Sequence, residues 1–241
     1  MPVRLSRRDL LLAAPALPLR ALAQAEELRV MVNDVRPYSH REGQQILGMH
    51  PDMLQEMAQL EGLRLRLSSA PYARVKRALL DEAVDAVVAL TGPDLDSQGT
   101  LVHPLHPVRY LIISLQARPI QSLAALRGKR LGMARGAYYN AAINDNPEVQ
   151  FVPITEPFQG LRMLALERVD AVVSTDFLLA QALRQARLEG VQFAPPFDAG
   201  GGAYALYARP QLPRELIERL RSALARLQAN GRLASIIRAH L

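Results

Sequence analysis

From Glu26 onward the apolar positions switch repeatedly between a period of two and a period near 3.6, which predicts strands alternating with helices. Leu28–Val32 alternates and reads as a strand, with a loop over Asn33-Asp34 and Arg36-Pro37-Tyr38 behind it. Pro51 suits a first helical turn, where its missing N–H costs nothing. Met53, Leu54, Met57 and Ala58 then share one face, and Gly62 stops the helix. Leu63–Leu67 alternates again as a half-exposed strand, and Tyr72 begins a loop into a helix over Arg74–Asp81. The segment Asp94–Pro107, holding Gly99, Pro104 and Pro107, reads as irregular, and Arg109–Ala117 as one long strand. Next come a short helix over Ser122–Leu126, a strand over Arg130–Ala134, the turn Arg135–Tyr138 and the run Phe151–Pro153. A helix from Pro157, a helix over Phe177–Arg187 and a strand over Val191–Ala194 follow. Gly200–Gly202 reads as a break, because three successive glycines lose much entropy on ordering. After the strand Ala203–Ala208, an amphipathic helix over Leu212–Ala229 places Leu216, Ile217, Leu220, Leu224 and Leu227 on one face, and Leu233–His240 is a terminal helix.

One sequence occurs twice within this pattern. Val-Asp-Ala-Val-Val stands at Val84–Val88 and again at Val169–Val173, each time after a helical stretch (Arg74–Asp81, then Gln159–Arg168). A β-branched run after a helix reads as a buried parallel strand. Thr91 and Gly92 follow the first copy, Ser174 and Thr175 the second. Ligands of open α/β sheets bind off the carboxyl ends of such strands. The doubled unit therefore predicts two α/β lobes whose strand ends face one cleft. Asp85 and Asp170, inside the copies, read as satisfying backbone at a helix-to-strand turn.

Composition narrows the class. The chain has 241 residues, 49% of them hydrophobic, enough for one large core or two small ones. It has no cysteine, which excludes disulfides, thiol nucleophiles and a lipoprotein anchor. Its net charge is +6, and Arg4, Arg7, Arg8 and Arg20 against Asp9 account for half of that. The remaining excess is spread among acidic residues, without the clustered basic and aromatic side chains of a nucleic-acid surface. Ser6-Arg7-Arg8-Asp9-Leu10-Leu11, an apolar stretch to Leu19 and the small-x-small Ala23-Gln24-Ala25 predict a twin-arginine export signal over residues 1–25, with a mature chain from about Glu26. Pro15, Pro18 and Arg20 argue against a buried helix there. A soluble periplasmic protein is the expectation.

Motifs of other chemistries are weak. His103-Pro104-Leu105-His106 lacks a third ligand, and Asp94 with Asp96 matches no recognised metal spacing, so no metal is expected. Gly200–Gly202 leads into a strand and forms no phosphate loop, and Gly-x-Ser-x-Gly is absent. No cofactor and no catalytic residue is assigned.

The order of elements resembles the family-3 periplasmic solute-binding proteins of polar amino-acid ABC transporters. The residues that carry the likeness are Leu28–Val32, Tyr72-Ala73-Arg74, Val84–Thr91, Leu123–Gly132, Arg135-Gly136, Val169–Val173, the glycines before Ala203, and Leu227–Leu233. The resemblance implies an α/β type II periplasmic-binding-protein fold: two lobes, each a mixed sheet flanked by helices, joined by two crossover strands. The first lobe is expected over Glu26–Pro107 with Ala203–Leu241, the second over Val108–Gly202. It further implies a monomer that closes on a small molecule and presents the closed form to an ABC-transporter permease, with no nucleic-acid partner.

The amino-acid anchors of that family are mostly absent. An arginine that follows the first repeat strand and pairs with the ligand carboxylate has no counterpart in Asp94-Leu95-Asp96-Ser97-Gln98. Ala137 and Tyr138 stand where a Ser or Thr adds a hydroxyl after the second-lobe glycine, and Thr175 stands where an aspartate takes the α-ammonium, with Asp176 one residue late. The expected ligand is therefore small, polar or aromatic, and not a standard α-amino acid. Candidate ligand contacts are Tyr38, Tyr72 and Thr91 from the first lobe and Arg135, Tyr138, Thr175 and Asp176 from the second. Tyrosines on both walls suit a flat ligand, while Tyr139 reads as lobe packing. Arg135 is equally an ordinary surface arginine, while Thr91, which could simply end its strand, is read rather as a ligand contact. A sensor subunit, or a dehydratase or lyase using Asp96 or Asp176, remains a second reading of the same pattern.

Overall fold

The computed structural model describes residues 26–186 and 188–241. The export signal and the last residue of the helix expected to reach Arg187 lie outside the described residues. In chain order the elements are β1 (Glu27–Asn33), a hairpin of β2 (His40–Glu42) and β3 (Gln45–Leu47), α1 (Met49–Glu61), β4 (Arg64–Ala70), α2 (Tyr72–Leu80), β5 (Ala86–Leu90), α3 (Pro93–Gln98) and β6 (Thr100–Ser114). They continue with β7 (Arg130–Ala134), α4 (Ala141–Asn144), β8 (Gln150–Ile154), α5 (Pro157–Ala165), β9 (Ala171–Thr175), α6 (Asp176–Gln185), β10 (Phe197–Ala208), α7 (Arg214–Ala229) and α8 (Arg232–Ala239).

Eight strands form one sheet in the order β4-β1-β5-β10-β6-β9-β7-β8. The outer triplets, β4-β1-β5 and β9-β7-β8, are parallel within themselves. Between them run β10 and β6, antiparallel to each other and to their outer neighbours. The molecule thus has two similar halves, each a parallel triplet completed by antiparallel strands, joined by two long crossovers paired along their length. Tyr204–Ala208 of β10 serve the first half and Tyr110–Ser114 of β6 the second.

Three expectations need correction. Asp94–Pro107 is regular: Pro93 opens α3, and Thr100 onward is strand. Pro104 and Pro107 fit because they pair only with β10, while β9 joins β6 from Tyr110 onward. Their missing N–H groups therefore fall where no second neighbour asks for them. Gly200–Gly202 lies within β10, its ladder supplied by β6 (Gly201 opposite Arg109, Gly202 opposite Val108). Close approach explains the composition: a Cβ on Gly201 would stand 2.7 Å from the Val108 carbonyl, and one on Gly202 would overlap the Tyr110 hydroxyl. Val191–Ala194 is not a strand; it contributes a single bridge, Phe193 to Leu115. A smaller shift puts Tyr72 inside α2 rather than before it.

The doubled pentapeptide explains how each half is tied at the end away from the cleft. Asp85 accepts from the Arg29 backbone N–H (3.0 Å) and from Arg29 Nε and Nη2 (3.0 and 2.9 Å). Asp170 accepts from the same three groups of Arg130, at 2.8, 3.1 and 2.9 Å. Each aspartate thus clamps the first residues of the neighbouring parallel strand, a bidentate pairing that suits guanidinium. In the first half Arg209 Nε adds a bond to Asp85 at 3.1 Å. Burial would raise the Asp85 pKa, but its arginine and backbone partners outweigh that and hold it at about 2. Hydrogen bonding to Arg130 likewise lowers that of Asp170.

Apolar faces fill both sides of the sheet. Met53, Leu54 and Met57 of α1 are fully buried, and Gly62 ends that helix in the left-handed conformation (φ 63°). Leu216, Ile217, Leu220, Leu224 and Leu227 of α7 face inward as the heptad-like spacing requires. A separate cluster of Ile113, Leu161, Leu164, Val172 and Leu179 lies under the second half.

Candidate functional site

β5 and β9 point their carboxyl ends at each other across the join between halves, bringing Thr91 and Thr175 to the same region. The two hydroxyls differ in use. Thr91 Oγ1 accepts from the Ala203 N–H at 3.4 Å, and its own N–H donates to the Ala203 carbonyl at 2.9 Å, which ties it to the crossover strand. Thr175 Oγ1 lies 2.8 Å from the Tyr38 hydroxyl, a fully buried bond from one half to the other.

Tyr38 heads a stack of rings beneath this contact. It lies parallel to His50 (centroids 4.7 Å, 8°) and 4.5 Å from Tyr204, while Phe177 meets it edge-on from the second half at 6.5 Å. His50 Nε2 is 3.0 Å from His106 Nε2. His106 Nδ1 faces the Pro107 carbonyl at 3.2 Å, an acceptor, so that nitrogen carries the proton. His106 Nε2 is then the acceptor and His50 Nε2 the donor, which leaves His50 Nδ1 as a buried lone pair without a protein partner. Burial first, and then the neighbouring histidines, push the His50 pKa well down; burial brings His106 to about 4. Both rings are thus neutral near pH 7. Among the described residues no group of three or more His, Asp or Glu side chains is placed to hold a metal ion.

Further contacts close the rim. Lys76 of α2 donates to the Gly136 carbonyl of the second half at 2.8 Å and is paired with Asp94. A Cβ on Gly136 would lie 3.3 Å from Ala73, and one on Gly92 3.4 Å from the Tyr138 ring. Between the halves remains a cavity of about 20 Å³ whose lining includes Asn33, Tyr72, Tyr139, Thr175 and Tyr204. Tyr72 accepts from the Leu90 N–H at 3.0 Å, so its hydroxyl proton is free to donate inward. Tyr139 donates to the Val173 carbonyl at 3.3 Å. Burial raises the pKa of Tyr72, Tyr139 and Tyr204, so all three stay protonated.

The seven sequence candidates thus divide. Tyr72 and Thr175 line the cavity. Tyr38 is buried behind it, holding Thr175. Thr91 is bound to the crossover. Tyr138 is half-buried, packs on Gly92 and donates to Asp145 at 3.1 Å. Arg135 is exposed beyond the rim. Asp176 caps the Phe177 N–H at 3.0 Å and pairs with Arg109 at 3.5 Å. The lining also takes in Asn33, Tyr139 and Tyr204, which sequence reasoning left aside. Asn33 had a legible signal, since it ends β1 as Thr175 ends β9. Tyr139 and Tyr204 sit in apolar runs, where nothing separates a lining tyrosine from a core one.

No protein-family model matches the chain. A curated relative, the arginine-binding extracellular protein ArtP of Bacillus subtilis (strain 168), is 24% identical over 213 residues, covering 84% of this chain and 81% of its own. Among solved structures, an ancestral arginine-binding protein bound to arginine superposes with a TM-score of 0.76 at 20% identity, over 89% of this chain and 98% of that one. A histidine kinase sensor domain with similarity to periplasmic binding proteins superposes with a TM-score of 0.78 at 21% identity, over 90% and 96%. The fold is the type II periplasmic-binding-protein fold. The likeness to family-3 solute-binding proteins read from the order of elements holds over most of the described chain. In this fold the join between the triplets is where strand ends converge, and here that place is filled largely by tyrosine and histidine rings. Among the described residues, no helix is long and apolar enough to cross a membrane.

Proposed function

We propose that the chain is the exported solute-binding subunit of an ABC importer, closing two lobes on a small polar or aromatic ligand that is not a standard α-amino acid. The lobes are Glu26–Pro107 with Ala203–Leu241, and Val108–Gly202; the partner is a permease in the inner membrane. The observation that carries this is the buried Tyr38–Thr175 bond, which joins the halves beside a cavity at the strand ends. Such a contact exists only when the halves are together, so it belongs to a closed form whose population a ligand touching both halves would shift. ArtP and the ancestral protein, both named for arginine, support solute binding on this fold.

The ligand departs from theirs because the groups that hold an α-amino acid are missing or engaged. Asp94–Gln98 offers no arginine, Ala137 has no hydroxyl, and Asp176 is spent on its helix and Arg109. A buried charge left without its partner costs about 3–5 kcal/mol, about half of a micromolar affinity of about 8 kcal/mol and enough to bring it near millimolar. Isothermal titration with L-arginine, L-glutamine, L-glutamate and L-histidine should show no binding tighter than about millimolar. A micromolar dissociation constant for any of them would overturn the ligand reading.

A sensor subunit, which shows its closed form to a signalling partner, is a second reading favoured by the superposition on the kinase sensor domain. Fractionation separates the export expectation from the rest: replacing Arg7 and Arg8 by Lys should hold the protein in the cytoplasm.

A further inference from the structure

We infer that the ligand is a planar, ring-sized molecule without formal charge, carrying at least one hydrogen-bond acceptor. The inference rests on the solute-binding reading above and narrows it. None of the twelve residues lining the cavity between the halves is Asp, Glu, Lys, Arg or His. Two ionic groups at the rim are already engaged, while Asp34, Arg135 and Glu156, next in sequence to lining residues, are exposed. Lys76 spends its ammonium on Asp94 and on the Gly136 carbonyl, with a side chain only 12% exposed. Asp176 gives one oxygen to the Phe177 N–H and the other to Arg109. An ion brought into this space would lose its hydration and gain no counter-charge from the lining itself, which several kcal/mol of hydrogen bonding would have to offset.

What the lining offers is neutral and aromatic. Tyr72, Tyr139 and Tyr204 contribute rings, which suit an aromatic partner offset-stacked or edge-on. Because Leu90 N–H donates into the Tyr72 oxygen, the Tyr72 proton is the donor left over for a ligand. Tyr139 spends its proton on the Val173 carbonyl, and its oxygen faces the Ala134 backbone N–H. Asn33 adds a side-chain amide whose N–H side is used on Tyr204, which leaves its carbonyl as an acceptor. The site can thus satisfy an acceptor and a donor on one flat molecule while requiring no charge. A volume of about 20 Å³ holds about one water molecule, so a ring enters only when the halves stand further apart than here. Entry and closure are then coupled, and every polar group on the ligand has to find a neutral partner before the Tyr38–Thr175 bond can form.

The test uses near-isosteric pairs of an amide and its carboxylate, benzamide and benzoate, nicotinamide and nicotinate, with L-arginine and L-glutamine beside them. Thermal unfolding and solution scattering of the purified chain are recorded with each. In parallel, protein taken natively from expressing cells is denatured and any released molecule identified by mass spectrometry. The expected result is a rise in Tm with at least one neutral ring, at least tenfold tighter than its charged counterpart, or a released molecule that is uncharged at pH 7. A charged member binding as tightly as its neutral partner, or a released ion, overturns neutrality while leaving solute binding intact. No Tm shift with any probe and no released molecule overturns both readings.

Discussion

The hydroxyls of Tyr38 and Thr175 meet at 2.8 Å across 137 positions of chain, and both residues are buried from water. Tyr38→Phe and Thr175→Val should each cost the closed form about 1 kcal/mol. The double variant should cost no more than either single one, since both remove the same bond. Fluorescence energy transfer between labels on the two halves reads the closed fraction. Strictly additive effects would show that the bond does not hold the halves together.

The His50–His106 pair makes stability depend on pH. Both rings are neutral when folded, with His106 at about 4 and His50 well below its ordinary value, against about 6.5 in an unfolded chain. Between pH 6.5 and 4 the unfolded state therefore binds more protons, and stability falls as the pH drops. For each histidine the slope should approach ~1.4 kcal/mol per pH unit, levelling off for His106 below about 4. The groups around the pair do not reverse this. Tyr38 and Tyr204 stay protonated, Asp176 slightly favours protonation of His106, and His240 opposes that of His50. Urea denaturation from pH 7.5 to 4.5 measures the slope; a flat profile would mean that the pair is hydrated or already charged.

At the crossover, Gly202 is replaceable only if Tyr110 gives way, because a Cβ there overlaps the Tyr110 hydroxyl. Gly202→Ala should destabilise the fold by about 1–3 kcal/mol, the usual cost of overpacking. Adding Tyr110→Phe should restore part of the loss by removing the nearest atom. Equal midpoints for the single and double variants in thermal unfolding would assign the cost to some other contact.

The two strand clamps should differ in strength. Asp85→Asn leaves Arg29 and Arg209 facing a neutral amide, and the Asp85 side chain is 9% exposed against 25% for Asp170. About 2–4 kcal/mol is expected for Asp85→Asn and about 1–2 for Asp170→Asn, both below the full cost of a broken buried pair because the arginines reach solvent. Chemical denaturation gives both numbers, and the reverse ranking would contradict the geometry.

What was legible in the chain follows from how local each signal is. The alternation of Leu28–Val32 and Leu63–Leu67, the stripe on α7 and the stop at Gly62 depend on neighbours within a few residues, and all appear in the structure. Asp94–Pro107 and Gly200–Gly202 were misjudged because the ordering force is not local. Thr100–Pro107 becomes strand by pairing with Ala203–Ala208, and Gly201 and Gly202 by pairing with Arg109 and Val108, in each case about a hundred positions away. The site shows the same divide. Tyr72 and Thr175 could be placed from strand ends and helix starts. The stacking of Tyr38, His50, His106 and Tyr204 joins a loop, a helix and both crossovers, which no spacing rule connects.

The paired crossovers also restrict how the molecule can move. β6 and β10 share a ladder from Thr100 opposite Ala208 to Ile112 opposite Phe197, broken by irregularities between Asp198 and Gly201, Tyr204 and Ala205, and Leu206 and Tyr207. A double-stranded ribbon bends most readily where its ladder is already interrupted, whereas shearing one strand along the other would break several rungs at once. Bending at those points would move the two triplets like covers on a shared spine and open the join on the side opposite it.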